Sequence, residues 1–316
     1  MFRTLALTSL IFAGGLVAAC GNDTETTSTP VEPAVVFPDM PDPGTFNRAY
    51  TLTENADGTI RIFSKETRDD TDLFWSQKSE DGSWSEPEKL DWPKLVSNTN
   101  PHFSPFDGRL YFASDRPVPG LEGRKDMNIW SIAWTGDDWD DARPVTGEVN
   151  TGSGETSVTT TSDGTMFFVS KHARGKGGQD IFKANYNAET ESWVLSTLPD
   201  SVNSPRVETH VAATPDGQHV IFYSYRSPKL GVVDLVAISQ DENGNWVGPY
   251  NIGPLINTRG IDFGAGMSAD GETFFFSREG VLMSLPMEIL LEELETARTA
   301  FEAGEEAVLI GLETSE

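Results

Sequence analysis

The feature that most constrains the fold of this chain is an internal repeat with a period of about fifty residues. Five Asp-Gly pairs follow this period, beginning at positions 57, 107, 163, 216 and 270. Each pair precedes a short aromatic and aliphatic run, such as the one from Leu110 to Ser114. Asp-Gly between extended runs is typical of a β-hairpin, because glycine readily adopts the positive φ that the turn requires. A period near fifty with this pattern predicts the blades of a β-propeller or a related array.

Each period continues with the same ordered parts. A variable loop leads to an Asp or Asn that starts a third strand, and a tryptophan then opens a short fourth strand. An Asn-Thr or Asn-Ser link, at positions 98, 150, 203 and 257, closes the unit. Four strands in each of five units predict an all-β fold, a propeller of five four-stranded blades. Six blades are the alternative, but the sixth would have to come from the C-terminal tail.

The fifth unit lacks its own fourth strand. An apolar stretch from Ala34 to Phe37 precedes the first unit and is free to pair there. We therefore predict a propeller over residues 34–286 that the N-terminal strand closes, since closure removes exposed strand edges. From Met287 to Ala303 the apolar residues follow helical spacing, between Pro286 and Gly304. This predicts a C-terminal helix followed by an acidic tail to residue 316.

The amino terminus is predicted not to belong to the fold. Residues 1–20 contain one charge, Arg3, and an apolar run from Leu5 to Val17 that has signal-peptide length and is too short to span a bilayer. The run ends in Val-Ala-Ala-Cys, residues 17–20, and Cys20 is the only cysteine, so an internal disulfide is impossible. Residues 21–33 are polar and are predicted to form a flexible tether.

Two resemblances follow from these residues. The stretches FSPFDGRLYFASDR, ATPDGQHVIFYSYR and TSDGTMFFVSKHARGKGGQDIF resemble the WD-like repeats of TolB-type propellers, across roughly residues 47–287. Lys171-His172 and Tyr225-Arg226 depart from the Asp-Arg of that pattern. Residues 17–20 resemble the lipobox of bacterial lipoproteins.

The resemblances imply an acylated Cys20 that holds the protein on a membrane. Because Gly21 and not aspartate follows Cys20, they favour the outer membrane, with the propeller facing the periplasm or the cell surface. TolB-type propellers act by docking envelope proteins. We therefore expect a lipid-anchored envelope lipoprotein that serves as a binding or scaffold module for a protein or polysaccharide partner.

Charge and motifs limit the other functions. The net charge of −26 argues against nucleic-acid binding, because phosphates would be repelled. The sequence has no Walker loop, GxSxG, HExxH, cysteine pair or EF-hand loop, so we expect no cofactor and no metal. The acidic loop at residues 66–72 leaves Ca²⁺ open, since its oxygens are suitable ligands, although the spacing of a known calcium loop is missing.

The candidate site lies where the innermost strands begin, because propellers usually bind ligands at one mouth of the central channel. Equivalent repeat positions should bring three carboxylates toward one mouth, with three cationic or imidazole side chains nearby: Glu155, Glu208 and Asp262, with Arg48, His102 and His210. Two carboxylates that flank a sugar would serve a glycosidase. The alternatives to the binding module are therefore a glycan- or peptide-acting hydrolase that uses these carboxylates, and a polysaccharide-binding or sensor lipoprotein. A structural role also stays open, because a Glu at this position belongs to the TolB-type repeat.

Overall fold

The five Asp-Gly pairs of the repeat form the turns of five β-hairpins. Their glycines have positive φ values between 66° and 79°. In each turn the aspartate Oδ1 accepts a hydrogen bond of 3.0 to 3.2 Å from the backbone N–H two residues later. The turn chemistry inferred from the repeat is therefore present in all five units.

Over the residues that the structure describes, these hairpins are part of five four-stranded antiparallel sheets, with twenty strands in all. The structure, a computed structural model, describes residues 31–40, 48–67, 70–90, 96–120 and 123–311. The predicted signal peptide, Cys20 and nearly all of the tether lie outside these ranges. From the inside outward, the first four blades are β2 (Ala49–Glu54), β3 (Ile60–Glu66), β4 (Thr71–Gln77) and β5 (Glu88–Lys89); β6 (Asn98–Phe103), β7 (Leu110–Ser114), β8 (Asn128–Ile132) and β9 (Arg143–Pro144); β10 (Glu155–Thr160), β11 (Thr165–Ser170), β12 (Asp180–Asn187) and β13 (Ser192–Ser196); and β14 (Glu208–Ala213), β15 (His219–Ser224), β16 (Asp234–Gln240) and β17 (Trp246–Asn251).

The fifth blade combines the two ends of the propeller. It contains β18 (Asp262–Met267), β19 (Thr273–Arg278) and β20 (Val281–Pro286), and its outermost strand is β1 (Ala34–Val35). Ala34 pairs with Ser284 and Val35 with Met283. Closure by the N-terminal strand and the count of five blades are thereby confirmed.

The C-terminal helix is also confirmed, as α1 (Met287–Ala303), followed by a short α2 (Glu306–Leu309). Gly304 ends α1 in the left-handed conformation, with φ of 74°. Leu290, Leu294 and Ala297 are buried against apolar side chains of the last two blades, and α1 contacts β17, β19 and β20. Within the described ranges, no helix is long and apolar enough to cross a membrane.

Polar side chains of the innermost strands join neighbouring blades. Thr53 Oγ1 donates to Met267 O at 2.9 Å, and Phe103 N donates to Thr53 Oγ1 at 3.0 Å, so that one hydroxyl connects three blades. Ser157 Oγ and Thr159 Oγ1 likewise accept from backbone N–H groups of β14 at 3.2 Å. These bonds satisfy buried polar groups that would otherwise be costly.

Candidate functional site at the interblade face

The innermost strands all begin at one end of the propeller, here called the interblade face. It is formed by the links between blades and includes residues 96–97, 145–154, 197–207 and 252–261. In three of the links an asparagine pairs with one residue of the preceding blade's third strand, accepting from its N–H and donating to its C=O at 2.7 to 2.9 Å. The pairs are Asn150 with Ile129, Asn203 with Ile181, and Asn257 with Leu235. These two hydrogen bonds therefore attach each link to the third strand of the preceding blade.

The residue after each asparagine carries a hydroxyl that binds a carboxylate four positions later. The hydroxyl donates at 2.6 to 2.8 Å, and the backbone N–H of the same residue donates to the same carboxylate at 2.6 to 3.1 Å. The pairs are Thr151 with Glu155, Ser204 with Glu208, and Thr258 with Asp262. All three carboxylates have 0% exposure. The predicted mouth carboxylates thus occupy equivalent positions, and each is bonded within its own link.

The second strand of each blade supplies further partners for these carboxylates. Ser224 Oγ donates to Glu208 Oε1 at 3.0 Å, and Arg226 Nη2 donates to the same oxygen at 3.2 Å. Arg278 Nε lies 3.5 Å from Asp262 Oδ1. A carboxylate that accepts several bonds inside its own blade holds that blade's strands and link together.

Burial shifts the pKa of two of the three carboxyls. It raises the pKa of Glu155, against hydrogen bonds from Thr151 and Ser170 that act to lower it. It likewise raises the pKa of Asp262, against hydrogen bonds from Thr258 and the charge of Arg278. Among the three predicted catalytic residues, these two therefore hold protons more tightly than an exposed acid does.

Directly after these positions, every innermost strand contains a β-bulge, where its register against the second strand shifts. In four blades the bulged residue has positive φ: Thr51 at 47°, Asn100 at 52°, His210 at 50° and Gly264 at 64°. Bulges redirect side chains and increase the local twist. Because the bulge recurs in every blade, the strained backbone is a feature of the propeller fold. The blades differ in the side chain at the bulged position.

Bulged residues of the first three blades bond to one another around the channel. Thr51 Oγ1 donates to Asn100 Oδ1 at 3.0 Å, and Asn100 Nδ2 donates to Thr156 O. Gln179 Nε2 donates to Thr156 Oγ1 at 3.0 Å. Thr51 and Asn100 are buried, so this side of the channel is filled by a polar network.

The opposite side of the channel contains an aromatic group centred on His210. The His210 ring stacks on Tyr50 at 5.1 Å between centroids, lies 5.6 Å from Phe263, and meets Tyr223 edge-on at 5.2 Å. Burial and the nearby Arg48 charge lower the pKa of His210 to about 3, so the ring is neutral at physiological pH. Its Nδ1 is buried and has no hydrogen-bond partner among the described residues.

Arg48 and Tyr225 complete this group. The Arg48 guanidinium carbon lies 5.8 Å from the Phe263 ring centroid, and its Nε donates to Glu66 Oε2 at 2.8 Å. The Arg48 side chain is 35% exposed, and Tyr225, which contacts Tyr223 edge-on, is 37% exposed. We call the set the mouth cluster; its members are Arg48, Tyr50, His210, Tyr223, Tyr225 and Phe263.

His102 lies elsewhere. It pairs with Tyr111 near the far end of β6, next to the Asp-Gly turn. Its Nε2 accepts from Thr160 N at 2.9 Å, and the same nitrogen is 2.9 Å from Thr160 Oγ1. Burial lowers its pKa to about 3. The imidazole of His102 therefore joins blades 2 and 3 as a neutral hydrogen-bond acceptor.

Of the six predicted site residues, the structure brings Arg48 and His210 together and holds the three carboxylates in separate blades. The aromatic members of the mouth cluster were missed. A sequence signal for them exists, because Tyr223-Ser-Tyr225 stands where the second repeat has Ala113-Ser-Asp115. Whether any of the six residues binds a ligand or takes part in a reaction stays a prediction.

In the part of the chain that the structure describes, no group of three or more His, Cys, Asp or Glu side chains could hold a metal ion. The acidic loop at residues 66–72 is only partly described, because residues 68 and 69 fall outside the described ranges. The Asp72 carboxylate, at the end of that loop, pairs with Lys89 Nζ at 2.5 Å.

Comparison with known proteins gives structural neighbours only. No protein-family model matches the sequence, and no curated protein sequence matches it either. TolB from Acinetobacter baumannii is a structural neighbour with 15% identity, 76% of this chain and 54% of that chain covered, and a TM-score of 0.42. A glycosyl hydrolase from Bacteroides ovatus has 10% identity, coverages of 77% and 85%, and a TM-score of 0.45.

A puromycin-hydrolyzing peptidase from Mycobacterium tuberculosis is a further neighbour, with 17% identity, coverages of 64% and 29%, and a TM-score of 0.39. This chain therefore spans about half of the TolB structure and less than a third of the peptidase. At these identities and scores the likeness concerns propeller architecture, with TolB-type propellers among the neighbours. No function is transferred from it.

Proposed function

We propose that this protein is a lipid-anchored binding module of the bacterial envelope, whose mouth cluster engages a protein or polysaccharide partner. The observation that carries the proposal is a contrast at the interblade face. Glu155, Glu208 and Asp262 are bonded within their own blades, whereas Arg48 and Tyr225 keep exposed surface. Groups with exposed surface can contact a partner without dismantling the blades.

The mouth cluster has the chemistry of a binding site. Aromatic side chains offer flat apolar area at little entropic cost, and a tyrosine hydroxyl adds a polar contact. Arg48 supplies a guanidinium that recognises carboxylate or phosphate. The buried Nδ1 of His210 lacks a partner among the described residues, and a ligand that hydrogen-bonds to it would remove that cost.

Hydrolysis is less well supported than binding. A glycosidase needs two carboxyl groups that face one substrate, one as acid and one as base or nucleophile. Here each candidate carboxylate accepts both a hydroxyl and a backbone N–H from its own link. Freeing any one of them for chemistry would break the start of an innermost strand.

The anchor and the location rest on the sequence. We propose that the lipoprotein signal peptide is cleaved between Ala19 and Cys20, that Cys20 becomes the acylated first residue, and that the protein sits on the outer membrane, facing the periplasm or the surface. The 13-residue tether at 21–33 would have a root-mean-square length of roughly 20 Å. That reach lets the interblade face turn toward a partner beside the membrane.

The anchor is tested by metabolic labelling with an alkyne fatty acid, followed by dye coupling and gel analysis. The wild-type protein should be labelled, and Cys20→Ser should be unlabelled and keep its leader. Persistent labelling of Cys20→Ser would remove the lipoprotein assignment.

The mouth is tested by capture from solubilised envelopes on immobilised full-length protein. The Arg48→Gln, Tyr225→Ala double variant should lose a partner, protein or polysaccharide, that the wild type retains. A matched control, Arg143→Gln with Val308→Ala, changes an exposed cation and an exposed apolar residue elsewhere and should retain it. Identical captures by all three proteins would contradict the proposal.

A further inference from the structure

A separate region of the interblade face, on blade 3, has a local excess of positive charge. The whole chain has 23 Lys and Arg against 49 Asp and Glu. Yet the loop between β11 and β12, together with the start of β12, places four cations within thirteen residues: Lys171, Arg174, Lys176 and Lys183. Only one acid, Asp180, lies in the same segment.

Three of these cations line a groove of about 310 Å³. Its other lining residues include Phe182 of β12, the segment from Leu195 to Asp200, and Asn203. Asp200 is the one acidic side chain among the lining residues, so three cations face a single carboxylate. None of the lining residues belongs to the mouth cluster.

The cations of this groove are available to a ligand. Lys176 Nζ donates to Asp200 O at 2.7 Å and lies 3.5 Å from Asp200 Oδ1, but the Asp200 side chain is 100% exposed. An ion pair exposed to that extent is worth little. Within the described ranges, Arg174 and Lys183 form no ion pair, but Lys183 also lines a second pocket with Asp163 and Asp216, and its charge acts to lower the pKa of Asp163.

The loop that carries Arg174 and Lys176 is held in place by Asp180. Lys176 N and Gly177 N donate to Asp180 Oδ2 at 3.0 and 2.9 Å. A Cβ on Gly177 would lie 2.0 Å from Arg206 O, so the loop packs closely on the next link. Because these backbone N–H groups already donate to Asp180, an anion would have to be bound by the side chains of the loop.

A hydroxyl in the groove lacks a partner. Ser196 Oγ is buried and accepts or donates no hydrogen bond among the described residues, although it lines the same groove as the cations. Buried hydroxyls almost always have a partner. An acceptor oxygen of a ligand in the groove would supply it.

We propose that this groove binds a phosphate group, with Arg174, Lys176 and Lys183 as the charged contacts and Ser196 Oγ as a further donor. Three cations and a hydroxyl match the charge and the several acceptor oxygens of a phosphate better than those of a single carboxylate. The apolar side chains of Phe182 and Leu198 would contact the carbon skeleton that carries the phosphate. The acidic remainder of the protein repels polyanions and so confines them to this groove.

The phosphate could belong to a phosphorylated saccharide or to a phospholipid headgroup, since both present the same oxygens. The first probe is pyrophosphate, titrated calorimetrically into the full-length protein in an uncharged detergent. We expect saturable binding that weakens with salt.

The test variant is Arg174→Gln with Lys176→Gln, and the control is Lys125→Gln with Arg143→Gln, which removes the same charge from exposed positions elsewhere. The test variant should bind pyrophosphate at least roughly tenfold more weakly, and the control should change by less than about twofold. Equal weakening of both would show unspecific attraction and overturn the proposal. Absence of saturable binding to the wild type would also overturn it.

Ser196→Ala separates the groove from general charge effects. It should weaken pyrophosphate binding by roughly threefold to tenfold, while the thermal midpoint without ligand stays at the wild-type value, because no hydrogen bond of the described structure is lost. Unchanged affinity would remove Ser196 from the site.

Two further arms distinguish the sources of the phosphate. One titrates glucose 6-phosphate, and the other sediments the protein with vesicles of phosphatidylcholine with or without phosphatidylglycerol. Binding of the sugar phosphate alone assigns the groove to a phosphorylated saccharide, and binding of the anionic vesicles alone assigns it to a lipid headgroup. The control variant, Lys125→Gln with Arg143→Gln, should leave both unchanged, and the Arg174→Gln, Lys176→Gln variant should still capture the envelope partner of the mouth cluster, so failure of the mouth proposal and failure of this one are distinguishable.

Discussion

Replacing Glu208 with glutamine tests whether the inner-strand carboxylates build the blades or serve a ligand. The Glu208 Oε2 atom accepts from Ser204 N at 2.9 Å. Oε1 accepts from Ser204 Oγ at 2.6 Å, Ser224 Oγ at 3.0 Å and Arg226 Nη2 at 3.2 Å. Glutamine can keep its oxygen at the Oε1 position, but its NH₂ group then faces the Ser204 N–H, donor against donor.

The cost follows from these contacts. Loss of a hydrogen bond to a charged group, with a buried N–H left unsatisfied, costs about 2 to 3 kcal/mol. The lost charge opposite Arg226 adds less than about 1 kcal/mol, since that guanidinium keeps bonds to Ser201 O and Val202 O. A total near 3 kcal/mol should lower the thermal midpoint by about 6 to 12 °C.

The assay is calorimetric unfolding of the full-length protein. Glu242→Gln is the matched control, because Glu242 is exposed and its side chain makes no hydrogen bond or ion pair in the described part of the chain. Its midpoint should stay at the wild-type value. If Glu208→Gln left the midpoint within about 1 °C of this control and abolished a ligand-induced shift, the structural account of the carboxylates would be wrong.

Three further predictions concern other parts of the fold. Burial holds the pKa of His102 near 3 while the unfolded residue titrates near 6.5, so its contribution to stability is complete above pH 6.5 and is lost as the pH falls. Between pH 6.5 and 5 that loss is about 2 kcal/mol of unfolding free energy. The unfolding free energy of His102→Asn, measured in denaturant, should therefore depend on pH less steeply in this range, by the equivalent of about one proton. Leu294→Ala, at a fully buried position of α1, should cost about 2 to 5 kcal/mol in denaturant unfolding, whereas Leu291→Ala, 39% exposed, should cost less than about 1 kcal/mol. Gly264→Ala should destabilise the protein strongly, because the new Cβ would lie 2.7 Å from Tyr50 Cβ at a φ of 64°, and circular dichroism on heating measures the loss.

Much of the fold follows from local sequence signals. The hairpins rest on Asp-Gly turns, and the closing strand was inferred because the fifth unit lacks a partner for β20. The helical spacing that ends at Gly304 predicted α1. Each of these features depends on a few neighbouring residues, so the residues that specify it can be recognised in the sequence.

The site follows less well from sequence, because it depends on register. The equivalence of Glu155, Glu208 and Asp262 was visible from the repeat. The bulges were not, and they place Asn100, not His102, at the position equivalent to His210. The register shift at a bulge decides whether a side chain faces the channel or a neighbouring blade. The spacing of the repeats in the sequence does not reveal that shift.

The role of the Asn-Thr links was also hidden. The sequence showed that they recur, but not that the asparagine binds the previous blade while the hydroxyl binds the next carboxylate. In blade 2, Asn98 takes the carboxylate position and accepts from Arg116 Nη2 at 2.9 Å. The asparagine bonds reach back 21 or 22 residues to the preceding blade, so only the assembled propeller reveals them.

The most direct test of the central claim, that the mouth cluster is a binding surface, is photo-cross-linking in intact cells. Tyr225 is replaced by a photoreactive phenylalanine analogue, with Val308 of α2, which is also exposed, as the control site. The account predicts a discrete adduct from position 225 that disappears when Arg48→Gln is added and is missing from position 308. Adducts that are the same at both sites, or that persist in the Arg48→Gln background, would contradict it.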